Sequence, residues 1–334
     1  MIPRKGRPFR GIFSIMKYVR RILIAAVLAA VAAWQLPAQE TSLVPDATCA
    51  YIVRGTDTLL LDIYRPEALS QTTWKGKTKP AILNVTGGGF GGGSRDSHYF
   101  IPWFQELLEA GYPIVSIDYR LYMKGRRAIG DELGTYLKTA VEIATEDLFL
   151  ATKWLLENGE PYGIDARNLV LVGGSAGAVT ILQAEYELCN RTPIAAVLPE
   201  DFDYVGVMAF AGFLFPDEGK PVFARRPCPI LLLHGTDDRV VPYGKYLKYK
   251  MNSYGTKELA KIFSKNGYPH WTFRYEGLRH EVAGGMLVTV PFQDAFIKDC
   301  MEGRNSSMDT VVDWPNKPSG PNPELPWLYD GKKH

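Results

Sequence analysis

The segment "LVLVGGSAGAV" at residues 169–179 constrains the possible fold of this chain more than any other feature. Its first four residues are apolar, which is typical of a strand buried on both faces, and an apolar helical pattern begins after Gly177. Between the two, Gly173, Ser175 and Gly177 form a G-x-S-x-G pattern. A serine on so sharp a strand-to-helix turn needs small neighbours and presents its hydroxyl at the end of the strand. Ser175 is therefore a candidate nucleophile, and the Ala176 amide at the helix start faces developing negative charge.

Apolar or β-branched runs recur along the chain, with helical patterns between most of them. They predict eight strands, near residues 50–54, 57–63, 80–85, 113–118, 169–173, 203–211, 229–234 and 271–276. The first two are joined by "RGTDT", which predicts an antiparallel pair, whereas runs such as "CPILLLHG" are typical of buried parallel strands. This alternation predicts an α/β fold with one doubly wound, mostly parallel eight-stranded sheet and helices on both faces.

The first 38 residues differ from the rest of the chain. Residues 1–21 hold seven Lys or Arg and no acidic residue, and "ILIAAVLAAVAAW" at residues 22–34 is an apolar run of thirteen. With Ala38 as the cleavage residue, this predicts a secretory signal, because thirteen apolar residues are too few to cross a bilayer. Met16 would begin a more compact signal. We therefore expect a secreted or periplasmic protein with no stable membrane anchor.

Without the signal, 31 of the 38 basic residues remain against 36 acidic residues, a net charge of −5. This balance argues against nucleic acid or an anionic membrane as a partner. The four cysteines are widely spaced, with no C-x-x-C pair: Cys49, Cys189, Cys228 and Cys300. They leave two interpretations open, either disulfides in one of three connectivities or small buried apolar residues. No metal site and no dinucleotide or Walker motif is present, so no cofactor is predicted.

Three regions follow from these patterns: the signal at 1–38, a single catalytic domain at 39–304 and a tail at 305–334. The tail is rich in Pro, Asn and Ser, which indicates a segment that wraps the surface or is partly disordered. Residues 121–147 are less regular but contain one amphipathic helix. Its apolar face either packs on the sheet or covers a site as a lid.

A serine hydroxyl needs a base that removes its proton and an acid that orients the base. In strand–elbow–helix proteins the order along the chain is Ser, acid, His. Position in the chain disfavours four of the five histidines: His98, His234, His270 and His334. His280 follows the last predicted strand in the loop "GLRH" and is the candidate base. For the acid, "LLLHGTDDRVVP" offers both Asp237 and Asp238 after a buried strand, with Glu276 as a weaker rival.

The arrangement resembles the α/β-hydrolase superfamily, and especially its hormone-sensitive-lipase-like and secreted bacterial carboxylesterase branches, which include feruloyl and acetyl-xylan esterases. The resemblance rests on the elbow segment and on "LLLDIYRP" (59–66), "SIDYRL" (116–121) and "EDLFLATKWLLENGEPYGID" (146–165), which occur in the family's order. It covers roughly residues 50–300. Because only 63 positions separate Ser175 from Asp238, we expect no large cap domain between them.

Specific residues acquire roles through this resemblance. The family's H-G-x-x-D-x-x-V-P pattern places the acid at Asp238. Its H-G-G-G loop corresponds to "TGGGF", so Gly88 and Gly89 are expected to complete an oxyanion hole with Ala176. Thr86 stands where the family has histidine, so the loop must be braced differently. Three further charged residues in the matching blocks are interpreted as structural: Asp118, Arg120 and Asp147.

The implied activity is that of an exported serine carboxylic ester hydrolase with an acyl-Ser175 intermediate. The favoured substrates are acetyl or hydroxycinnamoyl esters of plant glycans, and a small-molecule ester is the other substrate class. Phe90, Tyr122 and Phe213 are candidates for an acyl pocket, although aromatic residues at such positions are more often core. The alternatives are a serine peptidase or amidase of the same fold, a lipase-like esterase for short acyl chains, or a binding module without activity. The sequence makes no prediction of oligomeric state.

Overall fold

The computed structural model describes residues 43–329 except residues 56, 69 and 70. The predicted signal at 1–38 lies outside the described residues. In chain order the strands are β1 (Ala47–Arg54), β2 (Asp57–Tyr64), β3 (Thr73–Trp74), β4 (Lys77–Thr78), β5 (Ala81–Val85), β6 (Ile114–Ile117), β7 (Leu169–Gly174), β8 (Gly206–Phe210), β9 (Phe213–Leu214), β10 (Ile230–Gly235), β11 (Lys245–Tyr246), β12 (Ser253–Gly255), β13 (His270–Glu276) and β14 (Met308–Asp313).

Nine of the described strands form the central sheet, in the order β1-β2-β6-β5-β7-β8-β10-β13-β14. The pairs β1–β2 and β2–β6 are antiparallel, and every pair from β6 to β14 is parallel. The eight predicted strands are all present, so the mostly parallel α/β sheet is confirmed. The predicted count of eight is one too low.

The additional strand, β14, comes from the tail. Met308–Asp313 pairs in parallel with β13 at the sheet edge, and its residues alternate between half-buried and exposed. Only one face of this strand is covered, and its apolar run is limited to Val311 and Val312, so it lacks the continuous apolar pattern that marks the central strands. The expectation that the tail only wraps the surface or is partly disordered is therefore wrong for this segment.

Five α-helices lie among the described residues: α1 (Ile101–Glu109), α2 (Gly130–Asn158), α3 (Ala176–Asn190), α4 (Thr256–Asn266) and α5 (Val290–Glu302). The buried side chains of α2, α3 and α4 form one core cluster with one face of the sheet. Those of α1 and α5 form a second cluster with the other face. The sheet is thus covered on both sides, as its continuous apolar strands require.

The amphipathic helix predicted within 121–147 is the first half of α2. This helix has 29 residues and continues without a break into the "EDLFLATKWLLEN" segment. Leu133, Leu137 and Val141 are buried in the core, and α2 packs against α3. Of the two interpretations left open by the sequence, packing of the apolar face on the domain is the one observed.

Two smaller sheets accompany the central one: β9, β11 and β12 form an antiparallel sheet, and β3 pairs with β4. The four cysteines are free thiols in this structure. In the described part of the chain, no helix combines the length and the apolar character needed to cross a membrane.

Candidate active site

Ser175 occupies the sharp turn between β7 and α3. Its backbone angles are φ 55° and ψ −122°, a conformation that residues with a side chain rarely adopt. The turn is held by hydrogen bonds from the Ser175 amide to the Phe210 carbonyl (2.9 Å) and from the Val179 amide to the Ser175 carbonyl (3.0 Å). A Cβ on Gly177 would clash with the Val85 carbonyl, which explains the need for glycine at this position. The strained elbow expected from the sequence is present.

His280 and Asp238 complete a chain of hydrogen bonds that begins at Ser175. The Nε2 atom of His280 lies 2.9 Å from the Ser175 Oγ atom, and its Nδ1 atom lies 2.8 Å from Oδ2 of Asp238. The Asp238 side chain is fully buried, whereas that of His280 is 26% exposed. Asp237 and Glu276, the rivals for the acid position, are exposed. The structure therefore brings together the three residues selected from the sequence.

The carboxylate of Asp238 is surrounded by hydrogen-bond donors. Its Oδ1 atom accepts from the amides of Val240 and Val241, each at 2.9 Å, and its Oδ2 atom also lies 3.3 Å from Nε2 of His234. Burial by itself raises the pKa of Asp238, but the hydrogen bonds and charges of His234 and His280 outweigh it and lower the pKa to about 2. Asp238 is therefore ionised at neutral pH and favours an adjacent imidazolium ion.

Glycines allow the loops of the site to meet closely. The segment after β13 that carries His280, residues 277–285, is called the histidine loop here. A Cβ on Gly174 would clash with the Ala283 carbonyl in this loop, and a Cβ on Gly235 would clash with its Arg279 carbonyl. A Cβ on Gly87 would lie 2.8 Å from the Gly174 carbonyl oxygen and 3.3 Å from the Ser175 Cβ atom. These contacts place the glycine-rich loop directly beside the candidate nucleophile.

The predicted oxyanion residues lie in this loop. Gly88 (φ +125°) and Gly89 (φ +60°) adopt positive φ angles that favour glycine. The Gly88 carbonyl accepts hydrogen bonds from the amides of Gly91 (3.1 Å) and Gly92 (3.0 Å), which closes a tight turn. In the described part of the chain, neither the Gly88 nor the Gly89 amide donates a backbone hydrogen bond.

Several residues brace the loop in place of the family's histidine. Thr86 is buried, and its carbonyl accepts a hydrogen bond from the Tyr119 hydroxyl (3.0 Å). The carbonyl of Gly89 accepts one from the Tyr329 hydroxyl (2.7 Å). At the far end of the loop, the guanidinium group of Arg95 forms ion pairs with two carboxylates, Asp118 (2.7 Å) and Asp62 (3.0 Å).

Sequence reasoning did not find Tyr119, Tyr329, Arg95 or the contact of His234. Tyr119 lies inside "SIDYRL" and Arg95 lies five residues after "TGGGF", but nothing in these segments indicates their partners. His234 belongs to the same "HGTDD" segment as Asp238, which is the only signal that could have suggested its role.

Two of the three candidate pocket residues are buried in the core. Phe90 and Phe213 are each only 3% exposed and belong to the core. Tyr122 is half-buried, with the Arg126 guanidinium 4.1 Å from its ring centroid. Their contribution to an acyl pocket stays a prediction.

The charged residues interpreted as structural do form ion pairs with their neighbours. Arg120 pairs with the fully buried Asp147 at 2.7 Å, and its backbone amide donates to the same carboxylate at 2.8 Å. Asp118 pairs with Arg95, as described above. Neither carboxylate contacts Ser175 or His280 through a hydrogen bond within the described residues.

A cavity of about 400 Å³ adjoins the acid loop, residues 236–242, which follows β10 and carries Asp238. Its walls combine polar or charged side chains (Thr236, Arg239, Lys248, Lys257 and Glu324) with aromatic and other apolar ones (Tyr243, Tyr246, Pro242, Leu325 and Pro326). No group of three or more His, Cys, Asp or Glu residues among those that the structure describes is placed to hold a metal ion.

Parts of the sequence are similar to known proteins. Residues 61–187, which include the glycine-rich loop and the elbow, match the BD-FAE family model. An ethyl acetate hydrolase of Pseudomonas putida is 30% identical over 143 residues, which are 43% of this chain and 39% of that protein. Esterase-5A of Drosophila persimilis is 29% identical over 144 residues, 42% of this chain and 24% of that protein. The chain thus spans well under half the length of these relatives.

Solved structures extend the similarity beyond the matched segment. Esterase 2 of Thermogutta terrifontis in its apo form has a TM-score of 0.54 and 20% identity, over 80% of this chain and 96% of that one. The butyrate-bound form of the same esterase has a TM-score of 0.52 over 77% of this chain and 92% of that one. At this identity the likeness concerns the fold alone. With its sheet order, its nucleophile elbow and its likeness to these solved structures, the chain has the α/β-hydrolase fold.

Proposed function

We propose that this protein is a serine carboxylic ester hydrolase that acts through an acyl-enzyme intermediate. The observation that carries the proposal is the continuous hydrogen-bond chain from Ser175 through His280 to Asp238. A positioned imidazole is the base that a serine hydroxyl needs, and a buried carboxylate holds the imidazole in the required tautomer.

The reaction follows from this geometry. Nε2 of His280 accepts the Ser175 proton as Oγ attacks the ester carbonyl carbon, and a tetrahedral oxyanion forms. The alcohol leaves with the proton from His280, and the acyl group stays on Ser175. A water molecule then gives a proton to His280 as its oxygen attacks the acyl carbonyl carbon. The second tetrahedral oxyanion breaks its bond to Oγ, the acid leaves, and His280 returns the proton to the Ser175 Oγ atom. Throughout, ionised Asp238 stabilises the imidazolium ion.

In this proposal the oxyanion is bound by the amides of Gly88, Gly89 and Ala176. The positive φ angles of the two glycines and the helix start at Ala176 support the assignment. Bare backbone is required because a Cβ near these amides would hinder the approach of the carbonyl oxygen. Removal of one oxyanion donor typically lowers kcat by about 10²–10³.

For substrates we propose acetyl or hydroxycinnamoyl esters of plant glycans. The ethyl acetate hydrolase relative supports a short acyl group, and the resemblance of the sequence to secreted esterases of that kind supports the glycan. A serine peptidase or amidase and a lipase-like esterase for short acyl chains remain the alternatives, and an inactive binding module is the non-enzymatic one.

The test is an ester panel of p-nitrophenyl acetate to laurate, methyl ferulate and acetylated xylan, together with an amide panel. We expect hydrolysis of short-chain or hydroxycinnamoyl esters and of acetylated xylan. Hydrolysis of long-chain esters alone would contradict the glycan assignment, and hydrolysis of amides alone would favour the peptidase alternative.

The serine mechanism has its own test. Ser175→Ala should lower kcat by about 10⁶ and abolish labelling by a fluorophosphonate probe. Unchanged hydrolysis by the variant would overturn the proposal, and absence of both labelling and hydrolysis in the wild type would favour a binding module.

We also propose export, on the basis of the charged and apolar segments within residues 1–38. Amino-terminal sequencing of protein recovered from the periplasm or medium tests this proposal. A mature terminus after Ala38 is expected, and an intact terminus in the cytoplasmic fraction would contradict it.

A further inference from the structure

The end of the described chain passes over the carboxyl ends of the parallel strands, where the candidate active site lies. Its residues 320–329 contact both loops that carry the acid and the histidine. The Arg279 guanidinium donates to the carbonyls of Gly320 (2.9 Å) and Pro321 (2.8 Å), and Arg279 directly precedes His280. This part of the tail is therefore attached to the histidine loop.

The next residues of the tail are attached to the acid loop. The Asn322 side-chain amide donates to the Asp237 carbonyl (2.8 Å), and the Leu325 amide donates to the Arg239 carbonyl (2.9 Å). Asp237 and Arg239 stand on either side of Asp238. Leu325 itself is buried in the core, so the attachment is not a loose surface contact.

The segment ends at Tyr329, which contacts the glycine-rich loop. Its hydroxyl donates to the Gly89 carbonyl at 2.7 Å, and its carbonyl accepts from the Ala128 amide at 3.2 Å. Tyr329 is 8% exposed, and burial raises the pKa of its phenol, so the hydroxyl keeps the proton that it donates. A Cβ on Gly89 would lie 2.9 Å from this hydroxyl oxygen, so the phenol and the loop are closely fitted.

This contact falls where the loop most needs support. Glycine runs have the largest conformational freedom of any sequence, and an oxyanion donor works only if it is held in place before the reaction. The hydrogen bond to the Gly89 carbonyl fixes the Gly89–Phe90 peptide group, and it thereby limits the rotation about the Gly89 Cα atom that would reorient the preceding amides. Thr86, which replaces the histidine of related loops, supplies no such contact to Gly89 among the described hydrogen bonds.

We propose that Tyr329 is a positioning residue that holds the oxyanion loop through the Gly89 carbonyl, a role that rests on the function proposed above. It does not touch the substrate. Its effect passes through the orientation of the Gly88 and Gly89 amides, which bind charge that develops in the transition state. Loss of the hydroxyl should therefore lower kcat more than it changes KM.

The kinetic test compares Tyr329→Phe with wild type on p-nitrophenyl acetate. Tyr268→Phe is the matched control, because Tyr268 precedes β13 at the opposite end of the strand from His280. We expect kcat of Tyr329→Phe to fall by about 5- to 50-fold, less than the loss of a whole donor, with KM within about 2-fold. Unchanged kcat, or an equal loss in Tyr268→Phe, would overturn the proposal.

A second measurement does not depend on catalysis. Hydrogen–deuterium exchange of peptides that cover residues 84–96 should be faster in Tyr329→Phe, while peptides from α4 exchange as in wild type. Unchanged exchange in 84–96 would overturn the positioning role whatever the activity. If exchange changes as expected but wild type hydrolyses no ester, the result supports the role of Tyr329 in holding the glycine-rich loop and contradicts the proposed function.

Discussion

The Nε2 atom of His234 lies 3.3 Å from Oδ2 of Asp238, the oxygen that also faces His280. The same nitrogen is 3.0 Å from the Val241 carbonyl, which only accepts hydrogen bonds, so Nε2 carries a proton. Nδ1 of His234 lies 2.9 Å from the Thr256 hydroxyl. His234 therefore serves as a second, fully buried donor to the carboxylate.

Because these donors lower the pKa of Asp238 to about 2, we expect the carboxylate to stay ionised throughout the working pH range. Protonation of Asp238 should therefore not contribute to a kcat/KM profile between pH 4 and 9, so it adds no second proton to the acid side of that profile. A slope of two on that side would contradict this assignment.

The same pKa shift affects stability. Because the pKa of Asp238 is lower in the folded protein than in the unfolded chain, ionised Asp238 stabilises the folded state at pH values above the unfolded pKa. That contribution is complete above about pH 4 and is lost as the pH falls towards 2. Urea unfolding of wild type and Asp238→Asn, at pH 6 and at the lowest pH where both still fold, measures it. The difference between the two proteins should shrink as the pH falls.

Asp238→Asn should lower kcat by roughly 10⁴, because the amide cannot hold His280 in the right tautomer or stabilise its charged form. KM should change little. The adjacent Asp237→Asn is the matched control, because Asp237 is exposed, and should leave kcat near the wild-type value. Comparable losses in both variants would mean that Asp238 has no special role.

Gly177→Ala should destabilise the protein by about 3 kcal/mol, because the new Cβ would be forced into the Val85 carbonyl of the neighbouring strand. Gly244→Ala is the control: it has no atom within 4 Å of the added carbon. Urea unfolding measures both variants. A Gly177→Ala protein as stable as wild type would show that the elbow is not closely packed.

The buried carboxyl group of Glu185 should make the stability of the protein depend on pH. It is 1% exposed and accepts hydrogen bonds from the Cys228 amide (2.8 Å) and the Cys189 thiol (3.2 Å). Burial raises the pKa of Glu185, so the folded protein holds a proton that the unfolded chain releases above about pH 4.3. Stability therefore falls as the pH rises from there through the folded pKa.

Glu185→Gln removes this titration. We expect the free energy of unfolding of Glu185→Gln minus that of wild type to be larger at pH 8 than at pH 5. Urea titration of both proteins at both pH values measures this difference. Glu157→Gln, whose side chain is 60% exposed, is the control and should show no such trend. A constant difference for Glu185→Gln would mean that Glu185 does not titrate between those values.

Much of the site could be predicted because its signals are local. Ser175 lies in a five-residue motif at the end of an apolar strand, and the order of acid and histidine follows from the order of the strands. Continuous apolar runs likewise identified every central strand. The edge strand β14 was missed because one exposed face leaves no continuous apolar pattern.

The contacts that brace the glycine-rich loop could not be predicted in the same way. Tyr329 is 240 positions from Gly89, and its partner is a backbone carbonyl, which leaves no trace in residue type. Arg95 and its two carboxylates also become neighbours only once the strands are assembled. Contacts between residues so far apart in the sequence can be identified only from the three-dimensional structure.

The path of residues 308–329 has a consequence for how the protein matures. Ser175, Asp238 and His280 all emerge from the ribosome before β14 and Tyr329, so the triad residues are synthesised before the Tyr329 brace on the glycine-rich loop exists. The contact between Tyr329 and the Gly89 carbonyl can form only after synthesis has passed Tyr329, so it is a late step in the maturation of the site.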